Sequence, residues 1–133
     1  MYLLDTDICI YLIKRTYPEL NQRVYRAKSG CLVLSAVTLA ELQYGAAMSQ
    51  RPAENREALT LFASAFEIVS FDAGDARYFG LIRAALRKTG KPIGPYDLQI
   101  AAQCLARGMT LVTHNVRAFL RVPELRVEDW VMG

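Results

Sequence analysis

Asp5, Asp7, Glu41 and Asp97 are the side chains of this chain whose types and placement bear most directly on chemistry. Carboxylates are hard oxygen donors, and several held together demand a counter-charge. Two of them ~5 Å apart repel by roughly 3 kcal/mol at an effective dielectric near 20. Three must share a cation, or one must take up a proton. An all-oxygen set suits Mg2+ or Mn2+. Such an ion polarises a phosphate, activates a water and stabilises the departing oxygen, so the chemistry expected is metal-assisted hydrolysis of a phosphodiester. Zinc is not indicated: there are three cysteines, Cys9, Cys31 and Cys104, one histidine, His114, and no CxxC spacing.

These acids meet only if the elements that carry them converge. Residues 2–5, 31–35, 67–71 and 109–113 are short apolar runs that read as buried strands, with 125–131 as an edge strand. Helical stretches are expected over the segment after Asp5, from Pro18 towards Gly30, over 38–48, from Pro52 to about Phe66, over 73–89 and over 96–107. Continuous apolar strands alternating with helices imply an α/β fold, a central parallel sheet of four to five strands covered on both faces. In such sheets ligands bind at the carboxyl ends of the strands. Asp5, Glu41 and Asp97 each fall near a strand–helix junction on this reading.

Taken singly, each acid also has a purely structural explanation. Acids favour helix N-termini, where they accept from unpaired amides and complement the dipole. Asp5 or Thr6 suits the cap of the first helix, Thr38-Leu-Ala-Glu41 reads as a capping box, and Pro95 makes Asp97 an ordinary first-turn acid. The catalytic reading rests on the three together.

The 133 residues suit one domain, 1–133, and 53% apolar with 22% charged residues describes a globular chain rather than a disordered one. No apolar run approaches the ~20 residues of a membrane span. The Met-Tyr-Leu-Leu-Asp start has no basic n-region, which points to a cytoplasmic protein. The cysteines, odd in number and set among apolar neighbours, are expected as buried free thiols. A net charge of +3 is compatible with a nucleic-acid partner without establishing one.

Four stretches together resemble the PIN-domain family, and within it the VapC-type toxins of bacterial toxin–antitoxin pairs: LLDTDICIYLI (3–13), SAVTLAELQYG (35–45), GPYDLQIAAQCLARG (94–108) and LVTHNVRAFLRVPELRVEDW (111–130). The resemblance implies a three-layer PIN-like sandwich and a Mg2+-dependent endoribonuclease that forms a homodimer. It also implies a VapB-type antitoxin whose C-terminal segment covers the active site. It carries Asp5, Glu41 and Asp97 onto the acidic metal site and Asn115 onto a fourth position that is often Asp. An Asn there supplies an oxygen without a charge, so a second metal would be held less firmly. Thr6 and Thr113 fall on hydroxyl positions that orient ligands or water, and Asp7, where Asn is common, is either a neighbour of the metal site or a cap. The GPYD segment and closing tail are most similar to members that cut initiator tRNA.

On that reading Arg87, Lys88 and Lys91 are candidates to follow the RNA backbone, and Tyr96 to stack a base. Trp130 is expected to be packed, and His114 to be a polar neighbour rather than a base. Two rivals remain. Asp5-Thr6-Asp7 also fits a haloacid-dehalogenase-type phosphatase, with Asp5 as nucleophile and Asp7 as acid, and with Ser35 and Gly74-Asp75 as later motifs. The other is a PIN-like module that binds RNA or protein without cutting.

Overall fold

The computed structural model describes residues 1–28 and 30–132. The chain runs β1 (Tyr2–Leu4), α1 (Thr6–Lys14), α2 (Pro18–Arg26), β2 (Leu32–Ser35), α3 (Ala36–Ala47), α4 (Pro52–Ala63), β3 (Glu67–Val69), α5 (Ala73–Lys88), α6 (Pro95–Arg107), β4 (Thr110–Val112), α7 (Val116–Phe119) and β5 (Val127–Glu128). All strand pairings are parallel, in the order β3-β2-β1-β4-β5. The α/β sandwich with a parallel sheet is therefore observed, with five strands.

Alternation along the strands divides the core into two layers. Leu3, Val33 and Leu111 point to one face and pack with α5, α6 and α7 through Ile82, Leu86, Leu98, Ile100 and Phe119. Leu4, Leu34 and Val112 point to the other and pack with α1 to α4 through Ile8, Leu12, Leu20, Leu42 and Leu59. Each such Leu or Ile, fully buried, contributes about 2 kcal/mol. Both faces are apolar because both are covered.

Strand order places the chemistry. β1 connects to β2 on one side, whereas β4 returns to pair with β1 on the other, so the switch point lies between β1 and β4. In open parallel sheets the crevice outside the strand ends at such a point is where ligands bind. Asp5 follows β1 and Thr113 follows β4, so both stand at this crevice.

Several boundaries differ from the sequence expectation. α2 stops at Arg26 because Ala27 turns extended (φ −65°, ψ 148°), short of Gly30. The tail pairs only at Val127 and Glu128, its backbone being held further by Asp129, whose carboxylate accepts from the N–H groups of Val131 and Met132. The expected capping box at Thr38–Glu41 is absent. α3 starts earlier, and the Ser35 hydroxyl caps it by accepting from the Val37 N–H at 3.0 Å. Glu41 consequently lies in the second turn, free of any capping duty. The reciprocal box is at α5, where Asp72 and Asp75 accept from each other's backbone N–H. Arg107 on α6 donates to Asp75 at 3.0 Å and to the Ser70 carbonyl at 2.8 Å, tying α6 to the start of α5.

Candidate active site

The site is built on Asp5. Its backbone is extended (φ −74°, ψ 172°), which ends β1 and makes it the N-cap of α1. One carboxylate oxygen accepts from the Ile8 N–H at 2.9 Å; the other accepts from the Thr113 hydroxyl. The Thr113 oxygen accepts in turn from the Asn115 N–H at 3.0 Å. Asp5 is therefore both the cap that the structural explanation required and a group aimed into the crevice, 3% exposed. Burial pushes its pKa up to about 7, with smaller contributions from Asp7 and Asp97, against the two hydrogen bonds that favour the charged form.

Glu41 reaches the site from α3. Thr6, the first residue of α1, donates to its carboxylate at 2.8 Å. The buried Thr38 hydroxyl stands 3.1 Å from that of Thr6, so two helices fix the position of one carboxylate. Asp97 comes from α6, two residues after Pro95 opens the helix. Its pKa is raised by partial burial, then by Glu41 and Asp7, although it sits at the favourable end of a helix dipole. Asp7 is exposed in the first turn of α1. Asp7 and Asp97 raise the pKa of Asp5, and Glu41 and Asp7 that of Asp97, so the four acids lie within electrostatic reach of one another.

The other expected residues are distributed unevenly. Asn115 is exposed and precedes α7, adjacent to the Thr113–Asp5 link. Tyr96 is 55% exposed beside Asp97. Arg87 and Lys88 end α5, and Lys91 lies exposed in the connection to α6, which Arg121 steadies by donating to the Pro92 carbonyl at 3.0 Å. Trp130 is buried against Tyr2, with ring centroids 5.1 Å apart. Sequence reading missed Thr38 as a partner of Thr6, because it took Thr38 for a cap. It also missed Asp129, which lies 3.0 Å from Nδ1 of His114; no spacing signals that pair.

The residues fit a hard divalent cation. They offer only oxygen donors, and two of the carboxylates already resist ionisation when no counter-charge is near. Among the described residues no three acidic, imidazole or thiol side chains are grouped into a ready-made cage. Beside Glu41, an apolar groove of about 340 Å3 runs between α1, α3 and α4, lined by Ile10, Ile13, Leu42 and Leu59 and flanked by Lys14.

Comparison with known proteins agrees with this geometry. The PIN domain family matches residues 2–125. The tRNA(fMet)-specific endonuclease VapC of Shigella flexneri is 42% identical over 129 residues, 97% of each chain. Ribonuclease VapC2 of Rickettsia felis is 39% identical over 132 residues, 98% of each. The structure of DNA-bound VapBC from Salmonella typhimurium superposes with a TM-score of 0.93 at 39% identity, covering 97% of each chain. The phosphatase reading is overturned by these matches. The residues it would recruit are also committed elsewhere, Ser35 to capping α3 and Asp75 to the ion pair with Arg107. From the strand order, the acids at its switch point and these full-length matches, the chain belongs to the PIN-domain family and, within it, to the VapC branch.

Proposed function

We propose that this protein is an endoribonuclease toxin that hydrolyses phosphodiester bonds of tRNA, with initiator tRNA as its substrate. It acts as one domain, 1–133, in a homodimer, and a VapB-type antitoxin neutralises it. The observation that carries the reading is Asp5: a buried carboxylate at the switch point of the sheet, fixed by Thr113 and the Ile8 N–H beside further acids. The tRNA(fMet)-specific name of the Shigella flexneri relative supports the substrate, and the VapBC assemblies among the structural neighbours support the antitoxin. The apolar groove next to Glu41 suits a partner segment that covers the site.

Asp5, Asp97 and Glu41 would hold Mg2+ or Mn2+, with Asn115 as a neutral oxygen beside them. When bound, the ion supplies an activated water and charge neutralisation at the scissile phosphate. The chain's own residues do the positioning. Thr113 and the Ile8 N–H leave Asp5 no rotational freedom, and Thr6 aims Glu41. Losing such partners of a ligand typically costs about 10–100-fold in metal affinity or activity. Asp7 adds negative charge at the rim. Arg87, Lys88 and Lys91, with Tyr96, face the RNA on the Asp97 side and offset the repulsion between phosphate backbone and acidic centre.

Purified protein incubated with transcribed initiator tRNA should cut it with Mg2+ or Mn2+ and leave it intact with EDTA. Asp97→Asn should lose cutting while still melting cooperatively. Cleavage that persists in EDTA, or in a folded Asp97→Asn variant, would refute the proposal.

A further inference from the structure

Three rings that the catalytic description leaves without a role gather beside the acids. Tyr11, in the second turn of α1, lies against Tyr17, with centroids 5.0 Å apart and planes at 89°. The His114 ring lies 6.1 Å from Tyr11 and 6.2 Å from Tyr17, inclined at 73° and 56° respectively. Tyr11 is edge-on to both. Tyr17 and His114 are each about one-third exposed, so their rings meet solvent.

This cluster is fixed rather than incidental. His114 is locked through Nδ1 to Asp129, which is itself held by two backbone N–H groups of the tail. It directly follows Thr113, whose hydroxyl holds Asp5. The Tyr11 hydroxyl is kept above the ordinary phenol range by burial, then by the charge of Asp7, with Asp5 and Asp129 contributing. The rings therefore border the acidic centre through His114, the residue next to Thr113.

We propose that Tyr17 and His114, inclined at 56° and backed by Tyr11, form an aromatic platform for one nucleobase of the RNA, that of a nucleotide flanking the scissile bond, which stacks on one ring and meets the other at an angle. The inference rests on the nuclease reading above. A phosphodiester seated at the acids carries a base one sugar away, and that base must go somewhere. A base is planar and uncharged, which suits a surface of aromatic rings. Aromatic rings with exposed faces take bases by stacking, which is tolerant of sequence. The locked orientation of His114 means the platform is formed before the substrate arrives, so little ordering cost falls on binding.

Steady-state cleavage of transcribed initiator tRNA by the full chain tests this. Tyr17→Leu, and His114→Asn, which keeps a polar link towards Asp129 but removes the ring, should each raise KM about tenfold, while kcat moves far less. Tyr17→Trp should restore KM. Stem-loops of initiator tRNA with one abasic nucleotide at each loop position in turn give the second readout. At one position the missing base should raise KM for the wild type and add nothing for Tyr17→Leu. Unchanged KM in both variants, or a rise that Tyr17→Trp does not reverse, overturns the platform alone. Wild-type protein that leaves tRNA uncut overturns the nuclease reading, and the platform with it.

Discussion

Asp5→Asn should inactivate the protein and, without metal, make it more stable. The folded state holds Asp5 at a pKa of about 7 against 3.8 for the ordinary residue. That difference corresponds to about 4 kcal/mol at most, at 1.36 kcal/mol per unit. Because the folded form binds the proton more tightly than the unfolded form, folding is opposed as pH rises. The penalty is absent below about pH 4, grows between about 4 and 7, and is complete above. Asparagine never pays this penalty. Its oxygen can accept from the Ile8 N–H, and its amide can donate to the Thr113 hydroxyl, which then accepts instead of donating. Urea or thermal unfolding in EDTA should therefore give similar stabilities for wild type and variant near pH 4. By pH 8 the variant should lead by about 3 kcal/mol, on the order of 10 °C in Tm. Saturating Mg2+ should close the gap by stabilising only the wild type. Equal stability of the two at pH 8 in EDTA would refute the burial argument, and a variant gaining as much from Mg2+ would remove Asp5 from the ligand set.

Other expectations follow from the same contacts. Glu41→Gln should fold with stability within about 1 kcal/mol of the parent, since Glu41 caps nothing, while Mg2+ affinity, read by titration calorimetry, falls about 10–100-fold. Arg107→Ala leaves Asp75, 1% exposed, without its cation and should cost about 3 kcal/mol in urea unfolding; adding Asp75→Asn should recover part of it. Gly108 ends α6 at φ 65°, so Gly108→Ala should lower stability by about 1 kcal/mol, measured in the same way.

Much of this arrangement was legible from residue order. The apolar runs at 2–5, 31–35 and 109–113 are short and do not alternate with polar residues as a half-exposed strand would, which fits a sheet buried on both faces, and they are the three inner strands. Pro18, Pro52 and Pro95 each open a helix at its first position. The ends were less legible. Nothing local distinguishes Ser35 from Thr38 as the cap of α3; the choice is made by Ser35 completing β2, which leaves Thr38 inside, against Thr6. In the acidic cluster, sequence supplied the residue types but not their states. Burial of Asp5 and its link to Thr113 depend on β4 pairing with β1, a long-range event that leaves no trace in spacing. The tail was over-extended as a strand because the Asp129 carboxylate holds His114 through one oxygen and, through the other, turns the backbone at Val131 and Met132.

The link between Asp5 and Thr113 joins residues 108 positions apart. During synthesis at roughly 10 residues per second, Asp5 waits about ten seconds for its partner. Until β4 emerges, β1 has one of its two neighbours, and the crevice at the switch point has only one wall. A nascent chain thus cannot assemble the centre while most of it is still being made. For a toxin of the kind proposed above, this order of events would keep the centre silent towards the ribosome producing it and leave an interval in which an antitoxin made alongside could be waiting.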